Sequence, residues 1–139
     1  MMVKGTTAAI SSQAIEGVWR LVRTLGWNQA GESMPAPYGA HPMGQLCLLQ
    51  GRMLAALCNA EMDLESASRE YNSYGGAYVF DGTTLSTRVD VSSRTDWIGS
   101  LQVREARLDG DYLILHPPLR DYHGVTMQRE LHWERIWRP

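Results

Sequence analysis

The sequence predicts an all-β domain, an up-and-down antiparallel barrel of about eight strands with one short helix. Three observations carry this. Short runs rich in Val, Leu, Thr and aromatic residues alternate apolar with polar side chains, which is the two-residue period of half-buried strands. Tight-turn signals join those runs, with Asp81-Gly82 and Asp109-Gly110-Asp111 the clearest. Runs joined by short turns become neighbours in space, and closing so wide a sheet removes the edges that would otherwise aggregate.

The elements follow in order. Residues 1–14, rich in Thr, Ser and Ala, read as a frayed tail, which leaves 15–139 as the barrel domain. A first strand opens at Gly17, where Val18-Trp19-Arg20-Leu21-Val22-Arg23 clusters bulky β-forming residues. Residues 27–44 hold three prolines and three glycines, so no regular element fits and a long loop is expected. Gln45–Leu49, a turn at Gln50-Gly51 and Arg52–Cys58 form a hairpin. Residues 61–72 carry acidic groups early and Arg69 late, the charge order that suits a helix dipole, and supply the helix. Gly76–Phe80 meets Thr83–Val91 across Asp81-Gly82, with Leu85, Thr87, Val89 and Val91 on one face. Ile98–Leu108 and Tyr112–His116 follow, until Pro117-Pro118 stops the strand. A loop over Leu119–Gly124 leads to the last strand, Val125–Trp137.

Composition narrows the function. The chain has 139 residues, enough for one domain, and 44% of them are hydrophobic, which supports a real core. A net charge of -2 with both signs interspersed offers no basic face for nucleic acid. No apolar run is long enough for a signal peptide or a membrane-spanning helix, so a cytoplasmic address is expected and no membrane partner. The two cysteines, Cys47 and Cys58, are then expected reduced. Five tryptophans and six tyrosines stand against one phenylalanine. Aromatics with a polar handle suit surfaces that are half apolar and half wet, such as a cavity, although core packing uses them too.

Three segments resemble the small bacterial and fungal lipocalin-like domain family, related in shape to lipocalins and fatty-acid-binding proteins. They are Gly17-Val18-Trp19-Arg20-Leu21-Val22; residues 38–46 with the hairpin that follows; and the long stretch from Tyr74-Gly75-Gly76-Ala77-Tyr78 through Trp97-Ile98-Gly99, Gln102-Val103-Arg104 and Leu108–Leu113. The resemblance implies a lipocalin/calycin-like barrel whose closed end is plugged by Trp19, with Arg135 of the last strand stacked on it. It implies a cavity rather than one chemistry. Where the family often carries a histidine in the fifth strand, this chain has Thr87 and Arg88.

Several residues are candidates for the site. Gln102 and Arg104 share a face of one strand and suit an anionic or carbonyl oxygen if that face is the lumen. Their apolar alternates, Leu101 and Val103, argue for the opposite orientation, and the family resemblance argues for the lumen. Arg129 lies on the apolar register between Met127 and Leu131; it either meets an acidic group inside or extends its stem to the rim. Tyr74 and Tyr78 share a face with Phe80, Trp97 suits a wall of the mouth, and Thr87 offers a weak polar anchor, each against ordinary packing. His41, beside Tyr38 in the long loop, is the acid–base candidate, against a solvated loop histidine. No phosphate loop, nucleophile elbow or zinc spacing is present, so no cofactor and no metal are expected.

Two function classes follow. In the first, the barrel binds a small, largely hydrophobic molecule with a polar or anionic end, held by Tyr38, Tyr74, Thr87, Trp97, Gln102 and Arg129. In the second, it is a cofactor-free isomerase, cyclase or hydrolase of secondary metabolism, with Arg104 stabilising negative charge and Tyr78 or His41 moving a proton. A filled lumen whose outer surface binds another protein, and a homodimer, are further options.

Overall fold

In a computed structural model that describes residues 11–61, 69–122 and 124–139, nine strands form one antiparallel sheet. They are β1 (Gly17–Asn28), β2 (Pro42–Leu49), β3 (Arg52–Asn59), β4 (Tyr71–Phe80), β5 (Thr84–Ser92), β6 (Leu101–Asp109), β7 (Tyr112–His116), β8 (Arg120–Tyr122) and β9 (Val125–Trp137). Each pairs with its sequence neighbour up to β7, β7 pairs with β9, and β9 closes on β1. The result is the closed eight-strand barrel expected. The ninth strand, β8, is no extra stave, because β7 and β8 lie end to end along β9. Thirteen residues of β9 outlast the five of β7. After the Pro117-Pro118 interruption the chain therefore rejoins the same ladder, where a loop was expected.

Other boundaries also moved. Strand β1 runs on to Asn28 and β2 starts at Pro42, so the loop between them is shorter at both ends than its proline content suggested. Residues 62–68 of the expected helix lie outside the described residues. Its last two, Tyr71 and Asn72, belong to β4, where they pair with Cys58 and Leu57. Ile98 does not open β6; it follows a single 3-10 turn, Thr95–Trp97.

One end of the barrel is sealed. Trp19 is fully buried, its indole N–H donates to the Ile15 carbonyl at 3.0 Å, and the Arg135 guanidinium lies 4.3 Å from its ring centroid. Arg135 also donates to the Ala14 carbonyl, so the cation that covers the plug ties down the chain entering β1. The stacking implied by the family resemblance is present. At this end β2 and β3 turn through Gln50 (φ 50°) and Gly51 (φ 78°). Two consecutive positive φ values make the type I′ hairpin turn whose twist matches the flanking strands. The Gln50 N–H is held by the Glu16 carboxylate at 2.7 Å.

The core fills the lower lumen with Leu48, Leu85, Val89, Leu113 and Trp133, all nearly inaccessible. Val91, expected on this face, is half exposed. Gly75 pairs with Val91 and Gly76 with Val89, so Asp90 is an extra residue that reverses the alternation beyond it. A Cβ on Gly76 would sit 1.9 Å from the Arg88 carbonyl, which is why this bulge needs glycine. Outside, Arg52 holds the bulged Asp90 by two hydrogen bonds of 2.6 Å.

Candidate functional site

At the opposite end the lumen opens into a cavity of about 360 Å³, at the lower end of the range for small-molecule sites. Its apolar wall comes from β2, β3, β7 and β9, with Leu46, Met53, Leu57, Leu115, Leu131 and Trp133. These are the inward alternates of their strands, so their placement follows from the pleat. Among the described residues the charged lining of the cavity is mostly cationic, with four arginines against Glu70 and Asp121.

Gln102 and Arg104 point inward, each only 7% exposed, while Leu101 and Val103 face solvent. The outward orientation that alternation alone favoured is thus reversed. Arg104 donates to the Val103 carbonyl at 2.9 Å and to the Gln102 side-chain oxygen at 3.4 Å. Arg120, on β8, donates to that same oxygen at 3.5 Å. The Gln102 amide nitrogen is anchored on Ser100 Oγ at 2.9 Å, which fixes the amide orientation. One neutral acceptor therefore serves two guanidinium groups.

Trp97 lines the cavity from the 3-10 turn, edge-on to Tyr74 at 5.0 Å between centroids. The guanidinium groups of Arg94, Arg104 and Arg120 stand 5.3, 5.9 and 5.8 Å from its ring centroid. Arg94 is paired with Asp96 at 3.0 Å. Burial lowers the pKa of Arg120, and the like charges of Arg104 and Arg94 push in the same direction.

On the other side of the mouth, Arg129 is turned inward. Its guanidinium lies 3.7 Å from the Tyr122 ring centroid and 3.4 Å from the Glu70 carboxylate. The other Glu70 oxygen accepts from the Tyr38 backbone N–H at 2.9 Å. Tyr38 has φ 61°, a left-handed conformation costly for a bulky residue. The Glu70 contact holds it there with its ring 6.0 Å from Arg129. Burial, reinforced by Glu70, pushes the Tyr38 phenol up to about 12, so it stays a neutral hydrogen-bonding group.

Tyr38, Tyr74, Trp97, Arg104 and Arg129 thus meet around one cavity, with Gln102 directly behind the arginines. The other candidates do not. Tyr78 lies toward the sealed end beside Glu16 and Gly51, where burial and the Glu16 carboxylate raise its pKa. Thr87 is enclosed between Leu85 and Val89 in the packed core. His41 is exposed on the chain leading into β2, outside the cavity lining. His116 and His132 flank Glu130 at 3.3 and 2.5 Å on the outer wall, and no metal-holding cluster occurs among the described residues.

Sequence reasoning missed Arg120, Arg94 and Glu70. Arg120 and Tyr122 have the i, i+2 spacing of a strand, but the preceding proline pair marked the segment as loop. Glu70 fell in the expected helix.

The profile of the lipocalin-like domain matches residues 16–137, nearly the whole chain. The chain belongs to the lipocalin-like domain family. Comparison with curated proteins finds no significant match. In this lipocalin-like barrel the described residues include no helix long and apolar enough to cross a membrane. A barrel of this family suits a small hydrophobic ligand in general, and here the lumen has both the space and an apolar wall to receive one.

Proposed function

We propose that this lipocalin-like barrel binds a small, largely hydrophobic molecule with an anionic end inside its lumen. The observation that carries this is the pair Arg104 and Arg120, which share a neutral amide oxygen in the cavity wall. A buried cation without a carboxylate is costly, and an anionic ligand would offset that cost with charge-assisted hydrogen bonds. The apolar body would lie against Leu46, Met53, Leu57 and Leu131, where burial contributes roughly 25 cal/mol per Å². Binding is preferred over the isomerase, cyclase or hydrolase reading, because Tyr78 and His41, its proton carriers, sit away from the cavity.

The test is titration with 1-anilinonaphthalene-8-sulfonate, an apolar fluorophore with one anionic group. One saturable site per chain is expected. Ala55→Phe, which fills the lumen next to Met53 and Leu57, should abolish the signal, and Arg104→Gln should weaken it about tenfold. Absence of binding, or binding that ignores the filled lumen, overturns the reading.

A further inference from the structure

We infer that the anionic end of the ligand carries two negative charges on neighbouring oxygens, the chemistry of a phosphomonoester on a small apolar body. The inference rests on the binding reading above and goes further by naming the head group.

The charges around the cavity are the starting point. Four arginines line it, Arg94, Arg104, Arg120 and Arg129. Two have carboxylate partners: Arg94 pairs with Asp96 and Arg129 with Glu70. Among the described residues, Arg104 and Arg120 hydrogen-bond only to neutral oxygens, those of Val103 and Gln102. The remaining acid of the lining among the described residues, Asp121, is an exposed residue whose carboxylate accepts from the Gly124 N–H at 2.7 Å. Burial and the like charges of Arg104 and Arg94 lower the pKa of Arg120. Two positive charges therefore remain on one wall of the cavity, close enough to share an acceptor.

A single carboxylate or sulfonate would neutralise one of them. A phosphomonoester neutralises both, because its second ionisation lies near pH 6 and it presents three acceptor oxygens. Two guanidinium forks converging on one point suit such a head group, since each can take a different pair of oxygens. Trp97 lies beside both forks and offers a flat wall for the first atoms of the ester. Gln102 acts here as a positioning residue: its oxygen spans the two forks and its nitrogen is locked by Ser100.

The experiment compares three probes sharing one apolar body, 2-naphthyl phosphate, naphthalene-2-sulfonate and 2-naphthoate, by calorimetry at pH 5 and pH 8. The phosphate should bind about tenfold tighter than either monoanion at pH 8 and lose that advantage at pH 5, where it is itself a monoanion. The sulfonate keeps one charge throughout and reports any change in the protein itself. Among the described residues no histidine lines the cavity. Arg120→Gln and Arg104→Gln should each remove the preference for phosphate while the naphthalene body still binds. Arg120 is only partly buried, so its variant keeps the test available if the Arg104 substitution fails to fold.

Equal binding of the three probes at pH 8 overturns the dianion and leaves the binding reading standing. Failure of all three overturns both. Inorganic phosphate binding as tightly as the naphthyl ester would show that the head is recognised without the apolar body, and would also overturn the proposal as stated.

Discussion

Each end of the barrel sets a tryptophan against arginine, and the two ends use the contact differently. At the sealed end a single guanidinium lies 4.3 Å from the Trp19 ring centroid. The indole N–H has its acceptor and the ring is fully enclosed. At the open end three guanidinium groups stand more than 5 Å from the Trp97 ring centroid, a cavity adjoins them, and two of them lack a carboxylate partner among the described residues. The first arrangement encloses the ring and ties its cation to the Ala14 carbonyl, although the Arg135 Nε has no hydrogen-bond partner among the described residues, and it stabilises the fold. The second leaves charge uncompensated, which lowers stability and holds donors ready for a ligand.

The comparison breaks most visibly at the two rings. Trp19→Ala should cost about 3–5 kcal/mol, because the sealed end cannot collapse around the missing indole. Chemical denaturation measures it. Trp97→Ala should cost only about 1–2 kcal/mol, since part of its surroundings is already open, yet it should weaken anilinonaphthalene sulfonate binding strongly. Similar stability losses for both would show that the open end is packed like the core.

Exchanging the cations sharpens the contrast. Arg135→Met removes the charge over Trp19 and should destabilise by about 1–2 kcal/mol. Arg104→Met should leave stability unchanged or raise it by up to about 1 kcal/mol, since a desolvated cation without a carboxylate is replaced by an apolar chain of similar length. Thermal unfolding of the two variants side by side reads the difference in sign. A marked loss in Arg104→Met would mean that its bonds to Val103 and Gln102 outweigh its desolvation.

The effect confined to alkaline pH concerns Tyr38. Its folded pKa is about 12 against 10.0 for the free phenol. Between these values the unfolded chain has released a proton that the folded chain keeps, so stability falls as pH rises from 10 and levels off once Tyr38 ionises in the fold. Tyr38→Phe should flatten that alkaline decline and remove the last step of an ultraviolet phenol titration. A step that stays in place belongs to another tyrosine.

Much of the barrel was legible because strand period and turn chemistry are local. Asp81-Gly82 and the Asp109 to Asp111 turn each sit where two strands meet. The site was legible only in part. Arg129 could be proposed from its place on an apolar register, Tyr74 from the face it shares with Phe80 and Trp97 from its place between a polar loop and Gly99, whereas Gln102 and Arg104 read as outward because their neighbours are the apolar ones. Arg120 was hidden by the prolines before it, since only the unpaired length of β9 shows that the chain resumes as a strand.

The sequence alone determined most of the strands and their order, because alternation and turn residues act within a few positions of the chain, and the family resemblance supplied the plug. The tertiary structure decided which face of β6 is interior, where the Asp90 bulge reverses β5, and which arginines keep a carboxylate. Those depend on closure and on register between strands far apart in sequence, and a one-residue shift in either would exchange inside for outside.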